Sequence, residues 1–87
     1  MKRTNSTLRN LGPKSAVMLA EAGVRTVEEL RELGAVRAYT RVKALRLKSA
    51  SLNLLWALAA GLEDRDWREL SAEEKASLSA EVRRLRR

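Results

Sequence analysis

The chain of 87 residues is long enough for one domain but not two, and it carries a net charge of +7 with no cysteine and no histidine. Those absences exclude disulfide and thiolate chemistry, and they remove the commonest general base and most transition-metal ligands. Ala and Leu dominate while Phe and Ile are missing, a composition that builds helices rather than sheets.

The opening MKRTNSTLRN has basic residues but no apolar run behind them, so it does not read as a signal peptide. Residues 1–7 are expected to be flexible, and a short helical turn is expected over Ser6–Arg9. A second helix should run from Pro13 to about Ala22, because proline suits the first helical position, where its missing N–H costs nothing. Its apolar face is Ala16, Leu19 and Ala20, with Val17 at the margin. Gly23 should end it with a left-handed cap and return Val24 to the core.

Thr26-Val27-Glu28-Glu29 fits a capping box, and Val27, Leu30 and Leu33 should face inward from the helix it opens. Gly34 interrupts the pattern. A further helix is expected from about Ala35 to Leu47, with Ala35, Ala38, Tyr39, Val42 and Leu45 on its apolar arc. After a connector at 48–51, Leu52–Leu62 is apolar nearly all round and should lie at the centre. That stretch is far shorter than the roughly 20 residues of a membrane span. Asp66 can cap a short turn through Trp67. Ser71-Ala72-Glu73-Glu74 is a second capping box, opening a last helix with Ala76, Leu78, Val82 and Leu85 as its apolar residues. The expected fold is all-α, a compact five- to six-helix bundle spanning 8–85, followed by a basic tail at 86–87.

Charge is segregated along this order. Residues 33–62 hold Arg37, Arg41, Lys43, Arg46 and Lys48 without one acid, whereas 63–81 are acidic overall. Such blocks point to a surface aimed at a polyanion. Two stretches can carry it. The first is NLGPKSA (10–16), where Lys14 stands at a helix start whose dipole disfavours a cation by about 0.3–1 kcal/mol. An external anion at that start accounts for the lysine. Read with its flanks, Leu8–Leu30 resembles a helix-hairpin-helix motif with Asn10 in place of its first glycine. Asn tolerates the left-handed region, Leu11 plugs the hairpin, and Gly12 allows close approach to the amides of Lys14 and Ser15. The second stretch is a stripe of Arg37, Arg41 and Lys48, which fall within about 40° of one another on a helical wheel. The nucleic-acid-binding candidates are therefore Asn10, Gly12, Lys14, Ser15, Arg37, Arg41 and Lys48.

Other features read as structural. Trp56 belongs to the core, and Trp67 is a plug for the last turn. Glu63, Asp64, Asp66 and Glu69 read as solvated carboxylates beside Arg65 and Arg68. No catalytic residue, metal site, cofactor or small-molecule substrate is expected.

The pattern as a whole resembles the C-terminal domain of the TfoX/Sxy family. The resemblance is carried by LRNLGPKSAVMLAEAGVRTVEELRELGAVRAY (8–39), SLNLLWAL (51–58) and DWRELSAEEKASL (66–78). It implies a helical fold with a helix-hairpin-helix-like (SAM-like) front half. It also implies a bacterial cytoplasmic protein acting near DNA or a DNA-bound activator, in transcription and competence regulation. Full-length members carry an α/β domain ahead of this one, which this sequence lacks, so a stand-alone copy is expected. The sequence leaves two functions standing: contact with nucleic-acid backbone, and docking on an acidic protein such as a transcription factor or polymerase subunit. The second expects an apolar patch exposed around Val17, Met18 and Val36.

Overall fold

In the computed structural model, which describes residues 11–45 and 51–85, most helix boundaries trace to local signals. Helix α1 (Pro13–Glu21) starts at proline and ends in a Schellman motif. There the Val24 amide donates to Leu19 O at 2.8 Å and the Gly23 amide to Ala20 O at 3.0 Å. Gly23 has φ +89°, where a side chain is disfavoured, and Val24 and Leu19 pack at the turn as buried partners.

Thr26 caps α2 (Val27–Leu33) by accepting from the Glu29 amide at 3.1 Å. The return arm of this box differs from the expected one. Glu29 Oε1 accepts from the amide of Arg25, one residue before the cap, and from the Thr26 hydroxyl, both at 3.2 Å. Gly34, at φ +89° and ψ 157°, turns the chain directly into α3 (Ala35–Leu45).

Helix α4 (Leu52–Leu62) repeats the Schellman geometry without glycine. The Arg65 amide donates to Ala60 O and the Asp64 amide to Gly61 O, and Asp64 sits at φ 56°. Aspartate is among the few residues that tolerate this region. A 3-10 turn at Trp67–Glu69 follows, with Asp66 accepting from the Arg68 amide at 2.9 Å. Ser71 and Glu74 then form a reciprocal capping box at the head of α5 (Ala72–Leu85), at 3.1 and 2.9 Å.

These five helices surround one core, and no strand forms among the described residues. Helix α3 is the hub, packed on α1, α2, α4 and α5. Leu19, Val24, Val27, Leu30, Tyr39, Val42, Leu55 and Leu58 are its largest fully buried side chains. Trp56 is buried, and Trp67 is half-buried against the core.

Several apolar positions fall outside the core. Val17, expected at the margin of the α1 face, is 56% exposed, and Leu45 is 61% exposed at the end of α3. Leu52 lies at the open start of α4, and Ala76 and Leu85 lie on the outer side of α5. Helix α1 and helix α5 each lie mainly against α3, so one side of each stays open. The expected patch around Val17, Met18 and Val36 does not form, because Met18 and Val36 are buried and leave Val17 alone. The expected turn at Ser6–Arg9, the connector at 48–50 and the last turn of the expected 35–47 helix lie outside the described residues.

Candidate functional site

The start of α1 is built as the sequence suggested. Gly12 holds the cap position in an extended conformation (φ −107°, ψ −174°) and supplies no side chain to the helix. Its backbone is open to any residue, and a Cβ there would meet no atom of the described residues within 4 Å. None of the described residues therefore requires glycine at this position. The first turn holds no acid, Pro13 and Lys14 are exposed, and Ser15 is half-buried. The Ala16 amide is the first to bond inside the helix, to Gly12 O at 3.0 Å.

A second helix start lies beside it. A cleft of about 340 Å³ is lined by Lys14 and Ser15 from α1, by Ser51, Asn53 and Leu54 from α4, and by Trp67. The Ser51 side chain makes no cap bond to α4, and the first turn of α4 also lacks acids. Two helix N-termini, each with its partial positive charge and with no cap bond from its own cap residue, thus border one cleft that has no carboxylate among the described residues. This cleft meets another at Ser51, lined by Tyr39, Lys43, Leu52, Ser79, Val82 and Arg83 and likewise free of acids. Lys43 is half-buried over the Tyr39 ring, with Nζ 5.7 Å from the ring centroid and 3.5 Å from the hydroxyl. Arg83 is exposed.

The predicted arginine stripe lies elsewhere. Arg37 and Arg41 are both exposed on α3 but line separate clefts, neither shared with Lys14 or Ser15. Arg37 borders Glu81, Arg84 and Leu85. Arg41 lies with Glu29 and Glu32, and a methyl group on Gly23 would sit 3.8 Å from its Nη1. Asn10 and Lys48 fall outside the described residues. Among the sequence candidates, the structure thus brings Gly12, Lys14 and Ser15 to one end of α1 and sets Arg37 and Arg41 apart from them. Sequence reasoning missed Lys43 and Arg83. Lys43 lies off the stripe on a helical wheel, and Arg83 belongs to a run that reads as a solvated tail, so no local signal selects either.

The acidic turn after α4 is more ordered than its composition implied. Arg65 donates to Glu74 at 2.7 and 3.2 Å, to Glu63 at 3.1 Å and to the carbonyl of Glu69 at 3.1 Å. One guanidinium therefore ties the end of α4 to the head of α5. Arg65, then the Ser71 amide, holds the Glu74 carboxyl down at about 2, below its ordinary 4.5. Because the folded value is the lower one, the stabilisation is complete above pH 4.5 and is lost as pH falls toward about 2. Glu74→Gln is therefore expected to make the acid limb of a stability–pH profile shallower in that window. Thermal melts in buffers spanning it check this, and an unchanged limb would show that the pair adds no pH-dependent stability. Among the described residues, no acidic cluster is arranged to hold a metal ion, and no helix is long and apolar enough to cross a membrane.

Comparison with known proteins agrees with this architecture. Residues 1–82 match the model of the TfoX C-terminal domain. Two crystal structures of Listeria monocytogenes proteins are similar over nearly the whole fold. An uncharacterized protein in a triclinic form has 26% identity and a TM-score of 0.83, covering 95% of this chain and 93% of its own. A protein of unknown function in a tetragonal form has 28% identity and a TM-score of 0.81, covering 92% and 98%. No curated protein matches.

Proposed function

Since the chain belongs to the TfoX C-terminal domain family, we propose that it is a non-enzymatic regulatory module, linked to transcription and competence, that contacts nucleic-acid backbone. The observation that carries this reading is the carboxylate-free face made by two neighbouring helix starts and continued by Lys43 and Arg83. Helix N-termini with free amides suit phosphate oxygens, and Lys14 at such a start is favourable once an anion occupies it. The open side of Gly12 lets a phosphate approach the backbone. Contacts of this kind position a protein on nucleic acid without reading its sequence. On this reading Gly12, Lys14 and Ser15 act together, Lys43 and Arg83 extend the track, and Arg37 and Arg41 contribute only through the long-range field.

The test is fluorescence anisotropy with labelled duplex DNA at salt concentrations from about 50 to 200 mM, a range over which phosphate contacts weaken steeply. Wild type is expected to bind with a steep salt slope. Lys14→Glu should reduce that slope by about 0.9 for the contact it removes, while Arg41→Glu changes it little. Gly12→Ala provides a variant with near-wild-type stability. The modest loss at a cap position and the gain from a stiffer unfolded chain are each about 0.5–1 kcal/mol and offset one another. It should nevertheless weaken binding. No binding at the lowest salt, or equal losses from Lys14→Glu and Arg41→Glu, would overturn the reading. The former would leave the same face to an acidic protein surface.

A further inference from the structure

The cleft beyond Ser51 gathers hydrogen-bond donors from three elements: Tyr39 and Lys43 of α3, Ser51 at the head of α4, and Ser79 and Arg83 of α5. It encloses about 390 Å³. Tyr39 is 1% exposed, and its hydroxyl accepts from Lys43 at 3.5 Å. An ammonium cannot accept in return, so the hydroxyl proton has no acceptor among the described residues. The Ser51 side chain makes no cap bond. The Ser79 hydroxyl, one turn before Arg83 on the same face of α5, also has no partner among the described residues. No ion pair among them engages Lys43 or Arg83. The eleven Asp and Glu residues of the chain are all described, and none lines this cleft, so no further acidic residue is left to neutralise the two cations. Buried donors are ordinarily satisfied, and cations gathered without acids repel one another. A multiply charged anion with several acceptor oxygens answers both.

From this we infer that the cleft holds the terminal phosphate of a nucleic-acid strand, a phosphomonoester. The inference rests on the nucleic-acid reading above and adds the strand end to it. A phosphate within a strand carries a single negative charge and has only its two non-bridging oxygens free. A terminal phosphate carries about −1.5 to −2 at neutral pH and offers three strong acceptor oxygens. Two cations and three hydroxyls around one cleft match the terminal group. Charge-assisted hydrogen bonds from Lys43 and Arg83 would supply most of the attraction, and the hydroxyls of Tyr39, Ser51 and Ser79 would fix the orientation. The cleft of Lys14 and Ser15 meets this one at Ser51, so a strand held by its end finds a path free of carboxylates for its next phosphates. A phosphorylated protein side chain offers the same terminal group, but its peptide backbone has no further anions to lay along that path.

The test is fluorescence anisotropy with short, internally labelled duplexes of one sequence, whose ends carry a 5′-phosphate, a 3′-phosphate or hydroxyls only. It belongs at about 100 mM salt, where the screening length is about 10 Å and distant charges count little. At least one phosphate-ended duplex should bind about tenfold tighter than the hydroxyl-ended one, the order expected of charge-assisted hydrogen bonds. Arg83→Gln and Tyr39→Phe should each reduce that ratio to below about threefold, whereas Arg41→Gln, an equal charge change outside the cleft, should keep it. Because the ratio is taken within each variant, a general loss of affinity or of folded protein cancels. Equal affinities for the three duplexes would overturn the inference and leave the backbone reading standing, while no binding by any of them would overturn both. A preference retained in either cleft variant would place the phosphate elsewhere and overturn the inference as well. A phosphoserine peptide that displaces the phosphate-ended duplex at lower concentration than a dinucleotide with the same terminal phosphate would give the cleft to a phosphorylated protein instead.

Discussion

Leu55→Ala is expected to destabilise the fold by about 2–5 kcal/mol, the range for truncating a fully buried leucine. Leu55 is fully buried in α4, the helix most extensively packed against the α3 hub. Its removal leaves a cavity in the core, which the surrounding packing fills only in part. For a domain of this size each kcal/mol lowers the melting temperature by about 4–8 °C. A drop of at least about 8 °C should therefore appear in thermal melts followed by circular dichroism. Small domains are stable by only about 5–15 kcal/mol, so this one change removes a large share. Leu52→Ala, on the same helix but 52% exposed, is the matched control and should stay within about 0.5 kcal/mol of wild type. Equal effects of the two would contradict the burial pattern of α4.

Gly34→Ala is the second large effect, and its mechanism is different. At φ +89° and ψ 157°, Gly34 occupies a region open in practice to glycine alone, and a side chain held there costs about 1–3 kcal/mol. A Cβ at Gly34 would meet nothing within 4 Å, so the cost is backbone strain without a clash. Gly34→Ser should therefore cost about as much as Gly34→Ala, and Gly34→Asn should give no rescue, because asparagine favours the left-handed helical region at lower ψ. Chemical denaturation of the three variants tests this. A steep rise in cost with side-chain size would mean that packing, not conformation, sets the requirement. The stakes extend beyond stability, because Gly34 joins α2 directly to the α3 hub and so sets the direction in which α3 leaves. The position of Lys43 relative to the α1 and α4 starts follows from that direction.

Much of this fold was written locally. Pro13 and Gly23 bound α1, Thr26 and Ser71 open α2 and α5, Asp66 caps the short turn, and Gly34 breaks the chain, all at the positions where the sequence placed them. These signals are legible because each depends on one or two residues and on backbone groups within four positions. The core residues of α2 and most of those of α3 were legible for a related reason, since they recur at helical spacing on the side that packs inward. The same reasoning reached the α1 start, where Gly12, Lys14 and Ser15 are neighbours in sequence.

Tertiary structure alone decided the rest. Periodicity finds an apolar stripe but not whether anything covers it, so Leu45, Leu52 and Leu85 read as buried while packing leaves them open. A helical wheel aligns Arg37 with Arg41, yet the helices beside α3 divide its surface, so one arginine faces the end of α5 and the other the acids of α2. Lys14 and Ser51 are 37 positions apart and nothing local relates them, but the packed helices bring their two uncapped ends to one cleft. Arg65 reads as one charge in a solvated turn until the chain places Glu63 and Glu74 on either side of it. The sequence by itself determined where the helices begin and where α1, α2 and α4 end, because caps and turns act over a few residues. Which faces are covered, and which charges share a cleft, depends on contacts between residues far apart in the chain, and those exist only once the helices have packed.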